Sequence, residues 1–240
     1  MRRICLLFLF SLFFQPETAF AGSKHFSIID PGNPADQDTA GKQILYTGRL
    51  WRNQYYMVRG DQFLFTAGLL KGTVTVNGRL FSDVFLNYDI YNDEIIALND
   101  NGMMIQLNKE KVDEFNIEYN LRKYEFRNLD SDSLRNIDGY VNVLFDDVLS
   151  LVVKYKKEIV MLAVENKYDE FNQLHRIYLR KDSVYYPIRG RRDLIKHLKD
   201  KKQQLRSFIR TNKLLITRNN PDSFVPVLEH YINLKNNAIR

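Results

Sequence analysis

Thr73-Val74-Thr75-Val76-Asn77-Gly78-Arg79-Leu80-Phe81 spells out a β-hairpin. Two runs rich in β-branched and apolar residues flank Asn77-Gly78. Both turn residues tolerate the positive φ that a type I′ turn needs to match strand twist. Outward from there, Val84, Leu86 and Tyr88 alternate with polar neighbours, and Tyr91-Asn92-Asp93 makes a turn into a strand over 94–98. Asn99-Asp100-Asn101-Gly102 then closes a second hairpin onto 103–107. Further on, Val141, Val143 and Phe145 run to a turn at Asp146-Asp147, and Leu149, Leu151, Val153 and Tyr155 return. A last strand pair, 177–179 with 185–188, turns at Lys181-Asp182-Ser183. Residues 117–126 read as one strand with a change of parity. Ile117, Tyr119 and Leu121 share one face, whereas Tyr124 and Phe126 share the other. Either a bulge near Arg122-Lys123 or cover on both faces accounts for this. Short strands joined by short turns indicate an antiparallel meander rather than βαβ units. The expected fold class is therefore mainly β: a body over 44–188, built as a sandwich or a half-closed roll.

The period changes near residue 189. Leu194, Leu198, Leu205, Phe208 and Ile209 recur at helical spacing, but one straight helix would put Lys201 inside that apolar stripe. The pattern predicts two helices instead, with Asp200 as N-cap and Gln203 completing a capping box. A third helix is expected from about Ser223, with Pro226 in its first turn and Phe224, Val227, Leu228 and Tyr231 inward. Residues 189–240 thus form a basic three-helix cap packed on the β body.

At the other end, Met1-Arg2-Arg3, the apolar run from Ile4 to Phe14 and Ala19-Phe20-Ala21 have the order of a secretory leader over 1–21. Residues 22–43, with Pro31 and Pro34, read as a flexible arm. The exported product is expected to be periplasmic or outer-membrane-associated and to lack a transmembrane span, since no later stretch has 18 consecutive apolar residues. Its one cysteine, Cys5, leaves with the leader, which removes disulfides, thiol nucleophiles and thiolate metal sites. Gly22 rather than a cysteine follows the cleavage site, so a lipid-anchored product is not expected. With 45% hydrophobic and 27% charged residues the chain has the composition of a folded globular domain.

Charge is unevenly placed. Residues 151–240 carry 20 Lys+Arg against 9 Asp+Glu, whereas residues 22–150 carry 13 against 19. The basic end contains Arg189, Arg191, Arg192, Lys196, Lys199, Lys201, Lys202, Arg206 and Arg210, interleaved with apolar residues at helical spacing. Such a run either lies against an anionic lipid or glycan surface, or is a solvated helix face.

Catalytic signals are sparse. The cluster Tyr88-Asp89-Ile90-Tyr91-Asn92-Asp93-Glu94 could hold a hard cation or an acid/base pair, but its Asn and Asp are also turn residues, and EF-hand spacing is missing. His25, His175, His197 and His230 are scattered and fit no zinc motif. No G-x-S-x-G elbow occurs. No catalytic residue, metal ligand or cofactor is assigned, and nucleic acid is not an expected partner.

The segments 71–95 (KGTVTVNGRLFSDVFLNYDIYNDEI), 139–147 (GYVNVLFDD) and 193–214 (DLIKHLKDKKQQLRSFIRTNKL) resemble a group of leader-bearing, β-rich secreted proteins widespread in Bacteroidota. The likeness spans residues 44 to 234 and implies a periplasmic or outer-membrane-associated home. It transfers no active-site residue. Three functions compete: a non-enzymatic envelope module that binds a protein or an anionic surface, a carboxylate-based extracytoplasmic hydrolase of glycans, and an integral outer-membrane barrel. The last fits poorly with a chain that ends in charged helices. The first is the reading adopted.

Overall fold

The computed structural model describes residues 42–129, 137–165 and 167–237. The leader, the arm up to residue 41, most of the polar loop after Leu129 and the last three residues lie outside them. Residues 42–43, assigned to the arm, belong to a helical turn over 42–45 whose Leu45 is buried in the core.

Eleven strands form one antiparallel sheet: β1 (Gly48–Leu50), β2 (Leu70–Val76), β3 (Arg79–Asp89), β4 (Glu94–Leu98), β5 (Met104–Leu107), β6 (Val112–Tyr119), β7 (Arg122–Leu129), β8 (Gly139–Asp146), β9 (Ser150–Val164), β10 (Tyr168–Lys181) and β11 (Val184–Ile188). Their order is β1-β5-β4-β3-β2-β6-β7-β8-β9-β10-β11. Two meanders therefore run in opposite directions from a shared centre, the β2–β6 ladder. There Gly72 has a mechanical role, because a Cβ on it would lie 2.0 Å from the Asn116 carbonyl oxygen. The Asn77-Gly78 turn has both residues at positive φ, as its composition requires.

The parity change at 117–126 has a different cause from either one expected. The chain reverses at Asn120-Leu121, both left-handed at φ 50° and 60°, and so divides the supposed strand into β6 and β7. Across that hairpin Ile117 faces Tyr124 and Phe115 faces Phe126, so all four lie on one side. Leu121, fully exposed, is a poor residue for such a turn.

The sheet is not closed, but it curls strongly. Tyr88 of β3 and Tyr140 of β8 are four strands apart, about 19 Å on a flat sheet. Their ring centroids nevertheless lie 5.8 Å apart, edge to face. Phe115 and Phe126 stack between them at 4.6 Å. Further along the curl, the Lys157 amide of β9 donates to the Ile90 carbonyl in the β3–β4 turn. A single rolled sheet enclosing an aromatic core is a half-closed roll, not a two-sheet sandwich. The segment 51–69 lies against the roll, and buried Asn87 donates to the Thr66 and Gly68 carbonyls.

Three C-terminal helices, α1 (Arg191–His197), α2 (Lys202–Thr211) and α3 (Val225–Asn236), cover one face of β8–β11. Leu151 and Val153 face them while Val152 faces the other way, where it packs with Val141, Tyr178 and Tyr185. The break between α1 and α2 falls where Lys201 demanded one, as a 3-10 turn over Lys199–Lys201. The expected capping box does not form. Lys201 is the N-cap of α2 and makes no side-chain cap bond. The Asp200 carboxylate is occupied elsewhere, accepting from the Tyr231 hydroxyl and pairing with Lys235 at 2.9 Å. These contacts pin α3 to the α1–α2 junction. Pro226 sits in the first turn of α3, after a 3-10 turn over Pro221–Phe224. Phe224, Val227, Leu228 and Tyr231 are buried.

Candidate anionic-surface interface

Helical spacing determines where the cations go. Arg192 and Lys196 are one turn apart on α1, and Lys202, Arg206 and Arg210 form a row along α2. The opposite faces are apolar, with Leu194, Ile195, Leu198, Leu205 and Ile209 buried over β8–β11. Burying those faces leaves the cationic rows on the surface. They flank one groove of about 710 Å³, lined by Arg191, Arg192, Lys196 and Lys199 on one side and Lys202, Arg206 and Arg210 on the other. Ile195 forms part of its floor.

Seven of the nine sequence-assigned cations thus meet in one concavity. Arg189 lies in two adjoining hollows, and half-buried Lys201 in the 3-10 turn does not line the groove. None of the nine pairs with a carboxylate among the described residues, although eleven ion pairs occur elsewhere. Asp193, the nearest acid in the same run, accepts the Arg189 backbone amide. Like charges one helical turn apart repel by a few tenths of a kcal/mol per pair. The arrangement therefore costs the cap stability that an anion would return.

Arg176 and Arg218 extend the basic surface and were missed in the sequence. With Arg189 they line a hollow of about 530 Å³, where the His175 ring nitrogen lies 2.8 Å from the Arg218 carbonyl oxygen. Only strand pairing and the turn before α3 bring these distant positions together, and neither leaves a local pattern.

The acidic-aromatic cluster is structural. Asp89, fully buried, accepts from the Tyr91 and Asn92 amides and from the Asn92 side chain. Burial raises its carboxyl above the ordinary range, against the pull of those bonds. Asp93 accepts from the Tyr88 hydroxyl and pairs with Lys109 and Lys154. No group of three metal-ligating side chains occurs among the described residues. A hollow of about 750 Å³ beside α3 contains two carboxylates, Asp182 and Asp200. Burial pushes the Asp200 carboxyl up, but the hydrogen bonds from Lys235 and Tyr231 outweigh it and hold it below its ordinary value, the wrong direction for a general acid. His197 packs on Tyr186 and His230 stacks on Phe208 at 4.0 Å.

The fold and surface define a class: a rolled antiparallel sheet with a helical lid whose outer groove is cationic. No protein-family model matches the chain, and comparison with curated proteins and with solved structures gives no match either. No helix among the described residues is long and apolar enough to cross a membrane.

Proposed function

We propose that this chain is an exported, non-enzymatic protein of the cell envelope, periplasmic or outer-membrane-associated like the Bacteroidota group it resembles. Its C-terminal lid docks on an anionic surface. The observation that carries this reading is the groove itself: seven cations from α1, α2 and the turn between them, with no carboxylate partner among the described residues. Near an anionic membrane each Lys or Arg contributes about 1 kcal/mol, so seven acting together give dissociation constants on the order of 10 μM.

Co-sedimentation with phosphatidylglycerol-containing vesicles tests the reading. Binding is expected at low ionic strength and should fall steeply toward 1 M salt, where the screening length shrinks to about 3 Å. Purely zwitterionic vesicles should not bind. Binding to neither these vesicles nor immobilised heparin, or binding indifferent to salt, overturns the surface-docking role. N-terminal sequencing of the native protein tests export, with Gly22 expected as the first residue and an intact Met1 as the contrary result.

A further inference from the structure

The basic groove continues around the N-terminus of α1 into a hollow of about 580 Å³, where Arg189, Arg191 and Arg192 meet Leu214, Leu215 and Ile216. This apolar triplet follows α2. Lys213, at φ +50°, ends the helix, and the Leu214 amide returns to the Ile209 carbonyl at 3.0 Å. Leu214 and Ile216 are half-buried against the core of the lid. Beyond them the Thr217 amide is held by the Ser223 hydroxyl at 3.2 Å. Leu215, between two anchored neighbours, is 81% exposed. A single exposed leucine is ordinary on a protein surface. Here it is fixed in place, ringed by arginines and continuous with the cationic groove.

We propose that the 213–217 loop is an interfacial wedge, with Leu215 entering the acyl boundary of an anionic bilayer while the surrounding arginines engage headgroup phosphates. The inference rests on the surface-docking role above and narrows it from any polyanion to a lipid membrane. A soluble glycan would satisfy the arginines but leave Leu215 in water. An anionic bilayer presents negative charge and hydrocarbon together, within the depth of about 5–10 Å that interfacial binders use. Hydrogen bonds on both sides of the loop already fix its shape, so insertion demands little further ordering.

The test compares wild type with Leu215→Ser on phosphatidylglycerol vesicles and on immobilised heparin, a lipid-free polyanion. The exposed position leaves folding intact, which an unchanged melting temperature would verify. Leu215→Ser should weaken vesicle binding about tenfold, the scale of losing most of a buried leucine side chain, and leave heparin retention unchanged. In a Trp51→Phe background, Leu215→Trp should shift its emission to the blue on these vesicles and be quenched by brominated acyl chains. Equal vesicle binding by wild type and Leu215→Ser, or an introduced indole that stays in water, overturns the wedge alone. If wild type binds heparin but not vesicles, the wedge falls and the docking role stands; if it binds neither, both fall.

Discussion

Asp93 occupies the β3–β4 turn at φ +61°, and its carboxylate is shared by the Tyr88 hydroxyl, Lys109 and Lys154. Gly139, at φ +66°, makes room for the group, since a Cβ there would lie 1.8 Å from an Asp93 oxygen. Burial alone would raise the Asp93 carboxyl, but the Lys154 charge and the hydrogen bonds from Lys109, Lys154 and Tyr88 outweigh it and hold it below the ordinary value. Burial lowers Lys154 in turn, with the neighbouring Lys109 charge adding to it, against the pull of Asp93. The folded-state value of Asp93 thus lies below its unfolded value of about 4. Its stabilisation is complete above that pH and is lost as pH falls through it toward the folded value. Asp93→Asn keeps a residue that tolerates the left-handed turn but strands two lysines, so it should cost about 3 kcal/mol in urea unfolding at pH 7. Between pH 5 and pH 3 the wild type should lose more stability than the variant. Equal slopes would remove Asp93 from this role. The turn at Asp93 was legible in the sequence from its composition. Its partners were not, because Lys109 is 16 residues away and Lys154 is 61.

Among the elements, α2 shows most directly how surface charge trades against stability. Lys202, Arg206 and Arg210 repel along one face with no compensating acid among them. Arg206→Glu would turn two like-charge contacts into two attractive ones, a swing of about 1 kcal/mol in favour of the helix. The variant should melt at the same temperature as wild type or higher, yet bind anionic vesicles more weakly. A variant that melts lower, or binds as well, contradicts the assignment of Arg206 to the interface. The lid was readable because apolar periodicity and the awkward placement of Lys201 both survive in a single sequence. The capping box was not, because Asp200 serves Tyr231 and Lys235, a tertiary demand that outweighed the local motif. The β6–β7 hairpin was hidden for the converse reason. Asn120-Leu121 lacks the glycine that advertises such a turn, and only the parity change betrayed it.

At the scale of the molecule, the curl brings together parts that no local pattern relates. Lys157, on the long β9 arm, donates to the Asp61 and Phe63 carbonyls and pairs with the Asp61 carboxylate. It ties the segment before β2 to the far half of the sheet. Lys157→Ala would leave these acceptors unpaired at a cost of about 2 kcal/mol. By hydrogen exchange, the Leu64 and Ile90 amides, which bridge this segment to the end of β3 and the turn after it, should lose protection, while amides of α2 should not. Uniform loosening, or none, would show that the clamp is not local. The strands and the fold class were legible from alternation and turns, whereas strand order and the degree of curl were not. Those depend on which edge of β2 the returning chain selects.

That choice also affects assembly rate. Apart from the short β1–β5 ladder, the β2–β6 ladder alone joins strands that are not consecutive along the chain. Each of the others joins strands that follow one another along the chain. This one must wait until Val112 finds Val76, with β3, β4 and β5 already looped between them. Ring-closure entropy falls on that encounter. The side-chain-free notch at Gly72 lets the two strands meet without any neighbour having to shift.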